Sequence, residues 1–218
     1  MQLALLVLEL QRDALDGKTP VVDLLRKAYI VAVKLNLDKF KEWITLEQNG
    51  YAGTGKKPPE YRRVGTILYS HNPLYGSNPV VIKNAKVAEM FSSLPINAPI
   101  SEIAAHVAKP TESHVALALS EPLRKMVMQL MRPQSEPFLY VAHASYCRII
   151  EAVRDAIVHW SAELEQVGII GEGMSFAPEE KKIAAERQDE IARHINIIIV
   201  GEMHDSSIQQ DSKRAKQK

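Results

Sequence analysis

The hydrophobic positions in the first fifty or so residues repeat with a helical period. Apolar residues recur every three or four positions over 2–15, and again after Thr19 and Pro20, which are typical of an N-cap and a first helical position. A third segment of this kind follows Asn36 and ends at the sequence NGY. The pattern predicts an N-terminal unit of three helices over residues 1–52.

The pattern changes after a linker, AGTGKKPPE, whose paired prolines cannot continue a helix. The segments RRVGTILYS, NPVVIK, VALALS and PFLYVAHAS are rich in β-branched or aromatic residues and predict strands. Short helices are predicted over 83–93, over 100–108 and after Ser120, and a long helix over about 146–167. Residues 58–177 therefore form a central mixed β region with a long packing helix, and the predicted fold class is α+β.

Residues 178–218 predict a polar helix, an apolar strand and a polar tail. The strand begins INIII, with four isoleucines in five residues, and such a strand invites pairing. It either completes the protein's own sheet, joins an equivalent strand of a neighbouring chain or docks on a partner protein, and the second alternative predicts a homo-oligomer. The residues expected to make this contact are Ile195, Ile197, Ile199, Ile208, Gln209 and Gln210.

The composition is that of an ordinary soluble globular protein. The 218 residues are 46% hydrophobic and 24% charged, with a net charge of +1, so nucleic-acid binding would need a local patch. The single cysteine, Cys147, excludes an internal disulfide and favours a reducing cytoplasm. We expect a buried structural thiol there, although His143 lies four residues earlier. No run is long enough to span a membrane, and MQLALLVLEL lacks the flanks of a signal peptide.

The glycine-rich stretch GIIGEGMSFAPEEKK, residues 168–182, resembles a phosphate-binding loop only superficially. Gly168 is expected to end the long helix, and Pro178 to lie in the first turn of the next one. Glu179 and Glu180 occupy that turn, where their charges satisfy the helix dipole and would repel a phosphate. Because neither this stretch nor GTGK matches a phosphate-loop or dinucleotide fingerprint, we predict a helix connection and no cofactor.

Arg154 and His159 match the spacing of HEPN-type ribonucleases, in which the arginine stabilises phosphate charge and the histidine acts as acid or base. The pattern is loose, since Arg187 and His194 match it too. Residues five apart on a straight helix lie on separate faces, so the pair would have to act across a dimer or at a kink. Three polar residues of the same helix form either a metal-binding edge or, more simply, a solvated face: Glu151, Asp155 and His159.

Basic and aromatic residues alternate in KKPPEYRR and continue with Tyr69, His71 and Tyr75. A single-stranded nucleic-acid surface has this composition. The same residues also suit a hairpin edge, where lysine and arginine prevent strand pairing. The residues of the nucleic-acid alternative are Lys56, Lys57, Tyr61, Arg62 and Arg63.

Four separate blocks of the chain resemble, in order, the AbiTii family. The blocks are LLVLELQRDALDGKTPVVDLLRKAYIVAVKLNLDKFKEWITLEQNGY, PPEYRRVGTILYSHNPLYGSNPVVI, EAVRDAIVHWSAELEQVGIIGEGMSF and SIQQDS. The resemblance extends from Leu5 to about Phe176, with the last block beyond it. It places the family's motifs on Glu9, Leu10, Asp13, Asn49, Gly50, Tyr51, Tyr61, Arg62, Asn72, Pro73, Arg154, Trp160, Gly171, Gly173, Ser175 and residues 207–210.

The resemblance implies a role in bacterial abortive infection, which blocks phage production, often at the expense of the infected cell. It implies a second protein component and no known reaction. The family pattern has an acidic residue where this chain has His159, which weakens the ribonuclease interpretation, and a glycine where it has Asp211. We therefore predict a cytoplasmic component that acts through protein contacts as a sensor, an adaptor or an assembly-dependent toxin. A ribonuclease and a nucleic-acid-binding module remain the alternatives.

Overall fold

The computed structural model describes residues 5–74, 76–109, 113–131 and 136–191, which form an α+β fold with an N-terminal group of helices, as predicted. The helices in these ranges are α1 (Leu6–Leu15), α2 (Val21–Lys34), α3 (Asp38–Asn49), α4 (Ala85–Met90), α5 (Ile100–Val107), α6 (Glu121–Met131), α7 (His143–Gln166) and α8 (Pro178–Glu186). The strands are β1 (Arg63–Asn72), β2 (Gly76–Pro79), β3 (Ser93–Pro95), β4 (His114–Ala118) and β5 (Pro137–Ala142), and a 3-10 turn over Glu60–Arg62 precedes β1.

The apolar residues that recur with a helical period form the buried faces of α1, α2 and α3. The connection from α2 to α3 is tight because Asn36 adopts a left-handed conformation, with φ of 55°. The Leu37 N–H donates to the Ala32 carbonyl at 2.9 Å, and the Asn36 N–H donates to the Val33 carbonyl at 3.2 Å. This pattern is a Schellman motif, and asparagine is one of the few residues that tolerate its left-handed position.

The five strands form one antiparallel sheet with β1 at its centre. The order is β2-β1-β5-β4, and β3 pairs with the first residues of β1. Inward side chains of the sheet, such as Val64 and Val141, join the main core with α1, α2, α3, α5 and α7. A second, smaller cluster contains Leu68, Phe91, Leu119, Val127 and Leu139.

The strand predicted at NPVVIK, residues 78–83, is wrong in its position. β2 ends at Pro79, and only the Val80 N–H, which donates to the Leu68 carbonyl at 2.8 Å, continues the pairing. Val80 and Ile82 pack against the second cluster, whereas Val81 is 78% exposed. The apolar residues therefore cover the core from an irregular segment instead of extending the edge strand.

One core crosses the boundary between the two regions predicted as 1–52 and 58–177. Phe40 of α3 stacks on Trp160 of α7 with ring centroids 3.7 Å apart, and α1 packs along α7. The division of the chain into three parts stays a prediction, and the first two parts share this core.

Several predicted features lie outside the described residues: Tyr75, His194, Ile195, Ile197, Ile199, Ile208, Gln209 and Gln210. In the ranges that the structure describes, no helix combines the length and apolar character needed to cross a bilayer.

Gly50, in the NGY motif, ends α3 in a backbone conformation that only glycine adopts readily. Its φ is 84° and its ψ is 169°. A Cβ atom at this position would lie 2.6 Å from the Asn97 carbonyl oxygen and 3.1 Å from the Pro99 ring. The neighbouring Tyr51 N–H donates to the same Asn97 oxygen at 2.8 Å. Gly50 therefore lets the end of α3 contact the segment that leads into α5.

We expect Gly50→Ala to lower the free energy of unfolding by roughly 3 kcal/mol or more, because backbone strain adds to the overlap with Asn97. Gly53→Ala is the matched control, since Gly53 has φ of 74° but a Cβ there would meet nothing within 4 Å. This control should lose only about 1–2 kcal/mol. Urea unfolding followed by circular dichroism measures both, and equal losses would contradict the role assigned to the Asn97 contact.

Candidate functional site

A buried ion pair joins α3 to the start of β1. Glu47 and Arg62 are both fully buried, and Arg62 Nη2 lies 2.6 Å from Glu47 Oε2. The Arg62 Nε also donates to the Glu47 carboxylate, and its Nη1 donates to the carbonyls of Ile96 at 3.0 Å and Ala98 at 2.7 Å. The pair therefore holds α3, β1 and the segment before α5 together.

Two tyrosines, which the sequence resemblance places in motifs, complete this network. The hydroxyls of Tyr51 and Tyr61 both donate to Glu47 Oε1 at 2.7 Å. The indole N–H of Trp43 donates to the Tyr61 hydroxyl at 2.9 Å, and the Arg62 guanidinium lies 5.0 Å from the centroid of the Tyr51 ring. The Glu47 carboxylate thus accepts charge-assisted bonds from three side chains, which compensates for its lost hydration.

The surroundings of Tyr51, Tyr61 and Arg62 keep these three side chains protonated at neutral pH. Burial, and next the negative charge of Glu47, raise the pKa of Tyr51 and of Tyr61 well above that of a free tyrosine, so both remain donors. Burial opposes the charge on Arg62, but Glu47 outweighs it and raises the pKa of Arg62. The arrangement suits a permanent structural joint better than a group that gains and loses protons.

The position of Arg62 corrects the predicted nucleic-acid patch. Arg62 has no exposed side-chain surface, so it cannot contact a nucleic-acid strand. Tyr61 packs against the main core with its hydroxyl on Glu47. Lys56 pairs with the exposed Glu42 at 2.9 Å. Of the five residues, Lys56, Lys57 and Arg63 are exposed.

Arg154 and His159 lie on different sides of α7. Arg154 is 7% exposed and donates to the backbone carbonyls of Asp16, at 3.2 Å, and Thr19. His159 is exposed, and its Nδ1 donates to the Asp155 carbonyl at 2.7 Å. Within one chain the two side chains do not converge, and Arg154 instead holds the α1–α2 connection against α7.

The metal-binding alternative has no geometric support on this helix. Three clustered side chains of histidine, cysteine, aspartate or glutamate would be the minimum for a metal site, and the described part of the chain contains no such group. Glu151, Asp155 and His159 are exposed, as a solvated helix face would be.

The glycine loop between α7 and α8 binds an anion, and that anion is the carboxylate of Glu180. Glu180 Oε1 accepts from the backbone N–H groups of Ile170 and Gly171, both at 2.8 Å. Its Oε2 accepts from the Ala177 N–H at 2.7 Å, which caps α8. A phosphate would have to displace this side chain, so the loop is a helix connection, as predicted.

The same loop also completes the N-terminus of α1. The N–H of Val7 donates to the Ile170 carbonyl at 3.0 Å, and the N–H of Leu6 donates to the Gly171 carbonyl at 3.4 Å. These donors have no partner within their own helix. Gly171 has φ of 69°, and a Cβ there would lie 2.7 Å from the ring of Phe176.

The other motif residues serve mainly local structure. Asp13 pairs with Lys27, and Trp160 is fully buried. Asn72 Oδ1 accepts from the Leu74 N–H at 2.8 Å in the turn after β1, and the Ser175 hydroxyl donates to the Glu172 carbonyl at 3.2 Å. The remaining positions are the exposed Glu9 in α1, the exposed Asn49 at the end of α3 and the left-handed Gly173 in the loop.

Cys147 and His143 are close enough to interact at the start of α7. The Sγ lies 3.6 Å from His143 Nδ1, and His143 Nε2 lies 3.3 Å from the Val107 carbonyl. Cys147 is half-buried, so the prediction of a buried structural thiol is only partly correct.

A small cavity of about 170 Å³ lies between α5, β4 and α7. Its lining includes Glu102, His106 and Tyr146, and the Nδ1 of His106 is buried with no hydrogen-bond partner among the described residues. Burial, and next the charge of Glu102, raise the pKa of Tyr146. The cavity is smaller than the usual binding site of a nucleotide-sized ligand.

Sequence reasoning missed an aromatic cluster on the sheet. Tyr140 of β5 lies at its centre, with ring centroids 4.4 Å from Tyr69, 4.9 Å from Phe138 and 5.4 Å from His114. Tyr69 was noted in the sequence, but the pairing of β1 with β5 brings it to residues seventy positions away. The third strand of the cluster, β4, adds the imidazole.

Comparison with known proteins identifies the family. A family model described as AbiTii matches residues 5–189. The chain belongs to the AbiTii family. The AbiTii name points to abortive infection, a bacterial defence against phage. The matched range ends before the isoleucines of the predicted C-terminal strand. No curated protein matches the AbiTii chain, and neither does any solved structure.

We expect Arg62→Met to lower the free energy of unfolding of the AbiTii protein by about 3–5 kcal/mol, because it leaves the Glu47 carboxylate buried without its countercharge. The double variant Glu47→Gln/Arg62→Met removes both charges and should recover part of this loss. Arg63→Met, at the exposed neighbour, should cost less than about 1 kcal/mol. Chemical unfolding of all three variants measures the coupling, and equal losses for Arg62→Met and Arg63→Met would contradict it.

Because of Glu180, the free energy of unfolding depends on pH in the acidic range. Partial burial raises the pKa of Glu180, but the N–H groups of Gly171, Ile170 and Ala177 together outweigh it, so the net pKa lies below the ordinary value of 4.5. A carboxyl with a lowered folded-state pKa stabilises the fold above its unfolded pKa, and this contribution disappears as pH falls through the folded value.

We therefore expect Glu180→Gln to be less stable than the wild type by roughly 1 kcal/mol at neutral pH, a typical loss for a capping group. The difference should narrow as pH falls below about 4.5, as the linkage requires. Glu179→Gln is the matched control, because Glu179 is exposed in the same turn. Thermal melts from pH 7 to pH 3 measure the effect, and a difference that stays constant with pH would refute the assigned role.

Proposed function

We propose that this AbiTii protein is a cytoplasmic anti-phage component that acts through protein contacts, as a sensor, an adaptor or an assembly-dependent toxin. The family supports the defence role. Action through protein contacts is supported by the structural role of the motif residues, which hold the fold together. A second protein of the defence system and further copies of this chain are the expected partners.

The observation that carries the proposal is the placement of the ionisable motif residues. Arg62 forms a buried ion pair, Arg154 donates to backbone carbonyls, and Asp13 pairs with Lys27. In an enzyme, groups of this kind usually converge on an exposed cleft with perturbed protonation. Here the motifs stabilise a scaffold, and the surface of that scaffold is left for recognition.

One candidate contact surface is a groove on the outer side of α2. Tyr29 and Ile30 of α2 line it together with Gln48 of α3 and Ile100 of α5, and its volume is about 510 Å³. Tyr29, Ile30 and Val33 are 37%, 38% and 43% exposed, respectively. An apolar surface with a polar rim is typical of protein contacts.

We propose that the groove binds the C-terminal segment of a second copy, which contains Ile195, Ile197 and Ile199. The described chain ends at Ile191, which is buried and lies close to Asp189, the partner of Lys39 in α3. Residues 192–218 follow that point in the sequence. The segment predicted as an apolar strand would cover Val22, Tyr29 and Ile30, the apolar part of the groove, whose rim contains Arg26, Gln48 and Ser101, and exchange between copies gives a homo-oligomer.

The test combines phage plating with molar mass. Cells carrying the gene with its operon neighbours should plate a broad phage panel less efficiently than cells without it. We expect Ile30→Asp to abolish this protection and to lower the molar mass in light scattering, since a charge in the groove opposes apolar docking. His159→Ala is the control and should protect as the wild type does.

The other outcomes separate the alternatives. No protection across the panel would contradict the defence role, and an unchanged molar mass for Ile30→Asp would contradict docking between copies. Loss of protection in His159→Ala, together with fragmented cellular RNA after expression of the wild type, would favour the ribonuclease. Arg154→Ala is a poor test of that alternative, because the buried Arg154 supports the fold.

A further inference from the structure

We infer that the outer face of the sheet binds single-stranded nucleic acid by stacking bases on its aromatic cluster. The outer face is the side that points away from the two buried clusters, and its aromatic residues are Tyr69, Phe138 and Tyr140. This site goes beyond the proposed protein contacts and stands independently of them. It shares Arg63, Tyr69 and His71 with the basic and aromatic surface predicted from sequence, but it excludes the two lysines and the buried Arg62 and is centred on Phe138 and Tyr140 of β5.

The register of the strands places these rings on one side. Tyr69 of β1 lies opposite Phe138 of β5, and Tyr140 lies opposite Ile67 of β1 and Ala116 of β4. Side chains directly opposite each other in an antiparallel sheet share a face. The residues between them along the strands, such as Leu68, Leu139 and Val141, point inward and are buried.

The rings retain surface that a base could cover. Tyr69, Phe138 and Tyr140 are half-buried, and the adjacent Ile67 is 54% exposed. Rings that pack side by side on a sheet are held in place before a ligand arrives. Proteins that bind single strands without strong sequence preference use such rigid aromatic platforms, because every base has a π-face.

The polar groups at the outer face can donate hydrogen bonds to an anionic ligand. His71 and His114 are exposed beside the rings, and Arg63 is exposed at the start of β1, with its Nε 3.5 Å from Glu60 in the preceding turn. Among the outward positions of the five described strands, no residue is aspartate or glutamate. A guanidinium and imidazoles around aromatic rings complement a ligand that combines phosphates with flat bases.

Single strands fit this face better than a duplex. In a duplex the bases stack on one another and present only their edges, so their faces are closed to a flat sheet. A single strand can turn successive bases onto Tyr69, Tyr140 and Phe138, whose centroids are 4.4–6.1 Å apart. RNA and DNA share this chemistry and differ in the 2′-hydroxyl.

The test measures fluorescence anisotropy of labelled oligouridylate and oligothymidylate, each of about ten nucleotides, with the full-length protein at about 50 mM salt. We expect both strands to bind, and a duplex of the same length to bind more weakly. Tyr140→Leu, which removes the central ring but keeps an apolar side chain, should weaken binding roughly tenfold. Tyr140→Phe, which keeps the ring, should bind within about twofold of the wild type.

Leu15→Ala supplies the control, since it removes an exposed apolar side chain at the end of α1, away from the sheet and from the α2 groove, and should leave binding unchanged. Circular dichroism of each variant checks the fold. A preference for oligouridylate would support the proposal and assign RNA as the ligand.

The proposal would be overturned by no binding of either strand, by equal loss of binding in Tyr140→Leu and Leu15→Ala, or by duplex binding as tight as single-strand binding. A change in molar mass of Tyr140→Leu without any oligonucleotide binding would also overturn it, and would assign the face to contacts between copies. None of these results bears on phage plating by the Ile30→Asp variant, so the two proposals fail separately.

Discussion

The fold depends on one ion pair that is closed off from water. Glu47 and Arg62 come from two regions of different character, a helical one and a β-rich one, and their charges neutralise each other at the junction. The two tyrosine hydroxyls and the two backbone carbonyls around them leave few polar groups unpaired. A charged pair of this kind adds little to stability compared with apolar packing, but it strongly disfavours arrangements that separate its members. It therefore fixes how the sheet is oriented against α3.

This constraint explains why residues with reactive side chains stand in the motifs without forming a reaction centre. Arg62 must be an arginine because it serves a carboxylate and two carbonyls in fixed directions, which a lysine could not do. Gly50 and Gly171 have a different role, because a backbone carbonyl lies close to Gly50 and an aromatic ring lies close to Gly171. Arg154 has a third role, because it donates to backbone carbonyls in the connection between two helices. These side chains stabilise the interior of the protein, whereas the proposed contacts use residues on its surface.

Local patterns predicted most of the helices, because the spacing of apolar residues records which side is buried. The long helix begins at His143, close to its predicted start, and ends before Gly168, as expected. The strand at NPVVIK was misplaced because apolar residues can also cover a core from an irregular segment. Glu47 could have been found from sequence, since it falls on the apolar stripe of α3, seven residues after Phe40. An acid at a core position needs a buried partner.

The outer face of the sheet could not be predicted in this way. Tyr69 and Tyr140 meet only because β1 pairs with β5, and the sequence between them includes three helices and three strands. Pairing over such distances leaves no periodic trace in either strand. The position of Arg62 was likewise hidden, because its neighbours Tyr61 and Arg63 gave it the appearance of an exposed basic cluster.

The loop that holds Glu180 has a consequence for biosynthesis. α1 is translated before α7, but the carbonyls that receive its leading N–H groups belong to Ile170 and Gly171, and the helix along which it packs is α7. The chain must therefore be translated through Gly171 before α1 reaches its final environment. A nascent chain interrupted before this point carries α1 without the acceptors of its leading N–H groups.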